Sequence, residues 1–469
     1  MAPIDSYLAL VGFEQTGWGW LLLTAAAMTI GVSVCGFLTG TLIGTVITFM
    51  QLSRHLTIRW LADCYTTVLR GVPDLLVIYL FYFGGSALLG SLGGLFGYQG
   101  FIGMPAFLTG TLALGVVSAA YQAEVFRGAY RSVARGEIEA ASAVGMRPWP
   151  KFRRIVALRY SRARKHLAAR PEGIGIDLRH GSRRTAAPIA DRRRIDAPAV
   201  RVLPDGGRSL SRHHLAFINP VQTHGSANDP GHKESVVMDL GFMWDTFLTL
   251  LTGLPLTLEL AVTSVVAGSA LALAISLLAV TGGEIGRTIT RAYVFVFRGS
   301  PLLVQMFLIY YGLGQFRHGL QDLGVWGFFR EPYWCAVLAL TLNTAAYCSE
   351  IFRGGVLAVS AQEIEAARAC GMSGILLFRR IILPIALRHA LPAYGNEIIL
   401  MIKATALASV ITIMEVTGLA GKLIADSFRA FEIFIVAGAI YLAIIFIVTR
   451  MLMAVDFWLS PHMRMRLQS

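Results

Sequence analysis

Long apolar runs constrain this chain more than any other feature. A bilayer core about 30 Å thick needs roughly 20 consecutive, mostly apolar residues for a helix to cross it. Runs of that kind cover residues 18–50, 62–89, 101–126, 247–280, 293–314, 333–352, 391–414 and 434–458, which gives about eight spans by the length rule. With 55% hydrophobic and 15% charged residues and a mean hydropathy of +0.60, the chain carries more apolar surface than one soluble core can hide. It reads as an all-α, polytopic membrane protein. Asp5 and Glu14 precede the first run and no Lys or Arg does, so that run is expected to be a retained span and not a cleavable signal. The five cysteines, Cys35, Cys64, Cys335, Cys348 and Cys370, are scattered and mostly inside apolar runs. They show neither disulfide nor zinc spacing and read as buried thiols. His213, His214, His224 and His232 also lack ligand spacing, so no metal is expected.

The chain repeats itself. "YTTVLRGVPDLLVIYLFYFGG" from Tyr65 answers "YVFVFRGSPLLVQMFLIYYGLG" from Tyr293, and "AYQAEVFRGAYRSVARGEIEAASAVGM" from Ala120 answers "AYCSEIFRGGVLAVSAQEIEAARACGM" from Ala346. Glu124 and Glu139 stand at one fixed offset from Glu350 and Glu365, so the second block aligns without a gap. Two homologous halves follow.

The second half has three spans, a polar helical region and two more spans; the first half fails after its polar region. "FRRIILPIALRHALPAYGNEIIL" from Phe378 has as its counterpart "FRRIVALRYSRARKHLAARPEG" from Phe152. Residues 159–234 then hold 15 Lys/Arg against 7 Asp/Glu and no run long enough to span. Few aromatics and no helical or strand period make disorder the expectation there. Binding of anionic lipid or nucleic acid is disfavoured, because the segment lacks an amphipathic period and aromatic interleaving. The abrupt change inside a motif, followed by "VVMDLGFMWDTF" with a fresh start at Met238, points to a shifted reading frame joining two once-separate genes. The expected domains are residues 1–158, a basic linker 159–237, and 238–469.

Short cytoplasmic loops gather Lys and Arg. Arg54, Arg59 and Arg70 follow the first span; Arg127, Arg131, Arg135, Arg147, Lys151, Arg153 and Arg154 follow the third. In the second half Arg287, Arg291 and Arg298, then Arg353, Arg368, Arg379, Arg380 and Arg388, and finally Arg450, Arg464 and Arg466 repeat the pattern. Each half is expected to start outside, whereas three spans leave the end of the first half inside. The fused chain is in topological conflict.

Glu365, Ala366 and Ala367 are expected to open a short helix whose small side chains permit close docking, and Gly371 to give the backbone freedom for a sharp turn. "EAARACGMSGILLFRRIILP", with Glu365, Gly371, Ile381 and Pro384 in register, resembles the coupling motif in the integral-membrane subunits of ATP-binding-cassette (ABC) importers. "FRGSPLLVQMFLIYYGLGQF", "YWCAVLALTLNTAAY" and "MIKATALASVITIMEVTGLA" narrow the resemblance to polar-amino-acid permeases for histidine, for lysine/arginine/ornithine, and for octopine and nopaline. It covers residues 13 to about 155 and 238–465. It implies the type I ABC importer permease fold, with a complete five-helix core in the second half and a truncated three-helix copy in the first. It also implies a multi-pass place in the bacterial inner membrane, a separate ABC ATPase dimer, a periplasmic substrate-binding protein and room for another permease subunit. The knob formed by Glu365, Ala366, Ala367 and Gly371, and by Glu139, Ala140, Ala141 and Gly145 in the first half, would then sit in a groove of the ATPase.

Polar groups inside a membrane cost several kcal/mol unless paired or functional. Glu124 and Glu350 each precede an arginine, Arg127 and Arg353, by three residues. That spacing suits an ion pair on one helix face, and a role in holding a cationic substrate stays open beside it. Asn343, Tyr347, Asn396, Glu397 and Lys403 join Glu350 as pathway candidates, with Tyr121 and Ser118 in the first half. Arg70 and Arg298, each three residues before Pro73 and Pro301, read as interfacial anchors. No GxxxxGK[ST] loop occurs, so the chain is expected to bind no ATP and to be no enzyme. Two rivals stand beside the importer reading. One is an ion-coupled carrier, which the doubled motif opposes; the other is a nonfunctional remnant of two fused permease genes.

Overall fold

The computed structural model describes residues 12, 18–85, 104–131, 133, 135–146 and 239–459. The basic linker, the break after Arg154 and the restart at Met238 lie outside the described residues, as do both expected domain boundaries. The chain forms two compact units, Met1–Ser33 with Arg179–Met238, and Val34–Leu178 with Asp239–Ser469. In the former, the described residues are chiefly the start of helix α1 (Gly19–Gln51), whose apolar side chains there are largely exposed. That exposure suits a face turned to lipid.

In the latter unit α1 continues and is followed by α2 (Leu56–Gly71), α3 (Asp74–Tyr79) running into a π turn (Leu80–Gly84), α4 (Ala106–Arg131) and α5 (Arg135–Ala143). The second half supplies α6 (Leu240–Leu251), α7 (Leu254–Thr281), α8 (Gly283–Gly299), α9 (Leu302–Phe307) running into a π turn (Leu308–Gly312), and the short α10 (Arg317–Asp322) and α11 (Trp326–Phe329). Then come α12 (Pro332–Leu357), α13 (Ala361–Ala369), α14 (Gly374–Leu377), a π turn (Phe378–Ile382), α15 (Leu383–Ala404), a 3-10 segment (Thr405–Ile411), α16 (Val416–Ser427) and α17 (Ala430–Leu459). No strand occurs among the described residues. Five helices are long and apolar enough to cross a membrane, and counting three bent pairs as spans raises the number to 8, in agreement with the count of apolar runs.

The second run of each half is not one straight helix. α2 meets α3 at 109°, and α8 meets α9 at 103°. Pro73 and Pro301 bring no N–H to continue the ladder, and the residues before them, Val72 and Ser300, are extended, with ψ of 141° and 144°, as a following proline favours. Hydropathy reads through such a break; the charges on its N-terminal side do not. In the second half the carbonyls left open by the break are satisfied by Gln305, whose amide donates to the oxygens of Phe297 (2.9 Å) and Ser300 (3.0 Å). The seventh run also bends, by 46°, between Ile411 and Val416.

The halves share hydrogen bonds as well as elements. The Tyr65 hydroxyl donates to the Val116 carbonyl at 2.7 Å and the Tyr293 hydroxyl to that of Leu342 at 2.6 Å, so each ties the amphipathic helix to the third span of its half. Between the halves, α17 lies along α2 and α3. Leu76, Phe434, Ile440 and Tyr441 share one buried cluster, and the Tyr79 and Phe434 rings stack at 5.6 Å. Lipid tails are as apolar as leucine, so close van der Waals fit has to hold such a contact.

Candidate functional site

The polar region after each third span forms the same knob twice. Ser360 caps α13 by accepting from the Glu363 N–H at 3.2 Å, while the Glu363 carboxylate accepts from the Ser360 N–H at 3.2 Å, a reciprocal capping box. At the other end Gly371 N–H donates to Arg368 O (2.9 Å) and Met372 N–H to Ala367 O (3.0 Å), the paired bonds of a Schellman turn. α5 ends identically: Gly145 N–H donates to Ser142 O and Met146 N–H to Ala141 O, both at 3.0 Å. Gly145 and Gly371 have φ of +73° and +81°, where a Cβ would strain the backbone. Glu365, Ala366, Glu139 and Ala140 face outward, whereas Ala367 and Ala141 are buried. One expectation is corrected here. Glu365 to Ala367 do not open their helix, because the Ser360 cap starts it at Ala361; they lie in its middle, as Glu139 to Ala141 do in α5.

The intramembrane polar residues gather in two clusters. In the first, Glu124 on α4 receives Arg127 at 2.6 Å, with Arg70 of α2 at 3.9 Å and Gln51 of α1 at 3.4 Å. One carboxylate thus pins three helices. Arg70 also stands over the Tyr121 ring, 5.8 Å from its centroid. From the second half, Lys403 reaches the same place, 2.9 Å from Asp74 and 3.0 Å from the Tyr121 hydroxyl. Lys403 is buried and Asp74 half exposed, so the ion pair joins the two halves at the edge of a buried region.

The second cluster repeats part of this. Glu350 pairs with Arg353 at 2.5 Å, Arg298 lies 4.9 Å from the Tyr347 ring, and Glu397 is buried. Asn343 is also buried, and its amide donates to Phe297 O (3.2 Å) and the Gln305 side chain (3.3 Å). It therefore completes the carbonyl seal at the α8–α9 break. Ser118 accepts from Gln122 within its own helix, and Asn396 is exposed.

Sequence reasoning missed four members. Arg70 and Arg298 read as anchors, yet each covers a third-span tyrosine. Asp74 had no visible partner because Lys403 is remote in sequence. Glu415 was not singled out at all: it is wholly buried and accepts from Tyr441 Oη (2.7 Å) and the N–H groups of Thr417 (2.8 Å) and Gly418 (3.0 Å). It caps α16 at the bend of the seventh run. The available signal was an acid directly at the end of an apolar run. Among the described residues no group of three or more His, Cys, Asp or Glu could hold a metal ion.

A helical, multi-pass protein with a doubled polar knob and paired polar clusters has the layout of a membrane transport component. The chain belongs to the family of binding-protein-dependent transport system inner membrane components, matched over residues 265–461, and is therefore a permease component of the ABC importer class and not its enzyme. It is similar to the nopaline transport system permease protein NocM of Agrobacterium fabrum, 54% identical over 229 residues that cover 49% of this chain and 95% of that protein. It is also similar to the octopine transport system permease protein OccQ of Rhizobium meliloti, 51% identical over 150 residues, 32% of this chain and 63% of that protein. The arginine ABC transporter permease protein ArtM of Haemophilus influenzae is 40% identical over 211 residues, 45% of this chain and 92% of that protein. The crystal structure of an amino acid ABC transporter with histidines shares 34% identity and a TM-score of 0.43, covering 47% of this chain and 98% of that one.

Proposed function

We propose that the chain is the membrane-spanning part of an importer for basic amino acids or opines, driven by a separate ATPase dimer that docks on α5 and α13 and fed by a periplasmic substrate-binding protein. The observation that carries this reading is the knob itself, present twice with the same Schellman turn and the same outward Glu-Ala pair. A rigid projection of that kind transmits motion because its internal bonds leave it no softer mode. The ATP belongs to the partner, and the chain needs no cofactor of its own. The buried Lys403 beside Asp74 and Tyr121, the Arg298 guanidinium over the Tyr347 ring and the half-buried Glu124 and Glu350 suit a substrate bearing both a positive group and a carboxylate, as the nopaline, octopine and arginine relatives suggest. Tyr121, Glu124, Asn343, Tyr347, Glu350, Asn396 and Glu397 remain the pathway candidates. The domain reading also stands as proposed: a truncated permease domain over residues 1–158, a linker over 159–237 and a complete domain over 238–469.

The knob is tested by co-purifying the membrane-inserted chain with the ATPase subunit of an opine importer. Glu365→Lys together with Gly371→Val abolishes capture while leaving insertion unchanged. Undiminished capture by that variant overturns the docking assignment. A second reading, a nonfunctional fusion, is favoured by one observation: the chain covers only 63% of its Q-type octopine relative.

A further inference from the structure

The amphipathic helices α2 and α8 each show three faces. One packs inward: Ala62 and Thr66 of α2 and Gly286 and Thr290 of α8 are buried. The second is apolar and bare. Leu61 is 55% exposed and its repeat equivalent Ile289 54%, with Trp60 and Ile285 bare beside them. The third is charged. Arg59 and its equivalent Arg287 are exposed, and α8 adds Arg291 one turn on. Among the described residues neither Arg287 nor Arg291 pairs with a carboxylate; Arg287 donates to the Gly283 carbonyl of its own helix at 3.1 Å. Unpaired cations are costly in hydrocarbon, and the bends of 109° and 103° take both helices off the line of the segment that follows. A helix with an apolar side and a cationic side suits the boundary between acyl chains and headgroups.

We propose that α8 holds an anionic phospholipid of the cytoplasmic leaflet, with Arg287 and Arg291 on the lipid phosphate and an acyl chain against Ile285 and Ile289, and that α2 forms a weaker copy of this site around Arg59 and Trp60. Three observations choose a lipid as the occupant. The same face is bare on one helix of each half, so whatever covers both has to surround the molecule, as a bilayer does. Beside α2 an open groove of about 430 Å³ is lined by Leu56, Thr57, Trp60 and Leu61, and tryptophan is enriched at the headgroup level. The charge fits as well: a guanidinium fork matches phosphate oxygens, and arginines close to the cytoplasmic surface attract anionic lipid. The two sites differ in strength because Asp63 stands in α2 where α8 has Arg291, and its carboxylate meets Arg127 at 3.3 Å. Along this stripe α2 therefore has one cation fewer.

The test uses the full chain with a benzophenone amino acid in place of Ile289 or of Val266, reconstituted in vesicles of equal phosphatidylglycerol and phosphatidylcholine, irradiated, and its adducts identified by mass. Val266 lies on α7 and is bare like Ile289, so its lipid adducts report insertion and the bulk composition. Phosphatidylglycerol adducts are expected in about fivefold excess at Ile289 over Val266, the effect of a single surface arginine. Arg287→Gln with Arg291→Gln is expected to remove the excess, and Arg287→Lys with Arg291→Lys to keep most of it. Equal lipid ratios at the two positions overturn the proposal, and so does an excess that survives the Gln pair. Loss of the excess on adding inorganic phosphate at fixed ionic strength would assign the arginines to a free anion, and protein adducts at Ile289 would make the face a subunit contact; either result also overturns it. Comparing the two positions in the parent chain needs no arginine variant to fold, and contact is read without transport.

Discussion

Lys403 and Asp74 form a pair with unequal stakes. Lys403 is buried, whereas Asp74 is half exposed and sits in the first turn of α3, where the helix dipole favours a carboxylate. Removing Asp74 strands a buried ammonium with only the Tyr121 hydroxyl; removing Lys403 leaves a carboxylate with other support. Breaking a wholly buried pair costs about 3–5 kcal/mol, and the exposure of Asp74 cuts that to roughly 1–2 kcal/mol. Asp74→Asn is therefore expected to lower the apparent melting temperature in detergent more than Lys403→Met does; equal shifts would show that burial is not what sets the cost. Neither residue's partner was legible in the sequence, since 329 positions separate them and only the fold of both halves brings them together. Glu124 with Arg127 was legible, because i,i+3 spacing on one helix is a local rule. At the start of the second half, Asp239 caps α6. The bond from Phe242 N–H, helped by Arg429 and Gly241 N–H, holds its carboxyl below the ordinary carboxylate range. A depressed folded value stabilises above the unfolded one, near pH 4, and the contribution is lost as pH falls through the folded value. Amide exchange at the start of α6 is expected to quicken on acidification in the parent chain and to change little with pH in Asp239→Asn.

At the scale of elements, what could be read from sequence depended on whether the information was local. The knob was visible because its parts lie close together in the chain: Glu365, the small residues Ala366 and Ala367, and Gly371. Its exact register was misjudged, since Glu365 looked like a start until Ser360 was seen to cap the helix. Bends were hidden because a hydropathy window averages across Pro73 and Pro301, although the proline and the preceding arginine were both in view. The turn at Gly371 offers a clean measurement. A Cβ there meets no neighbour within 4 Å, so Gly371→Ala adds backbone strain and nothing else, about 1 kcal/mol. If the knob docks as a rigid body, that strain is expected to weaken ATPase binding roughly fivefold, with Gly371→Asn intermediate because Asn tolerates the left-handed region. A titration with purified ATPase reads the order; Ala and Asn variants that both bind like the parent would show that the turn is not what the partner recognises.

At the scale of the whole molecule, the repeat decides what is missing. α17 fills the first half's groove, and no described helix fills the matching groove of the second half, so the described residues supply one of the two reciprocal contacts that the repeat calls for. Loop charge adds a conflict: both halves are expected to start outside, yet three spans end the first half inside. Transport that needs both sides of a pathway should fail in such a chain. Restoring two in-frame spans after residue 155 and separating the halves supplies the second contact, removes the parity conflict and returns a counterpart of Glu397 and Lys403 to the first half. Import of labelled arginine or nopaline, measured in membrane vesicles supplied with an opine-binding protein and its ATPase, is expected from the repaired pair and to be near background for the fused chain. Equal uptake by the two would mean that residues 147–238 do the work of the missing spans, and the truncation reading would fall with it.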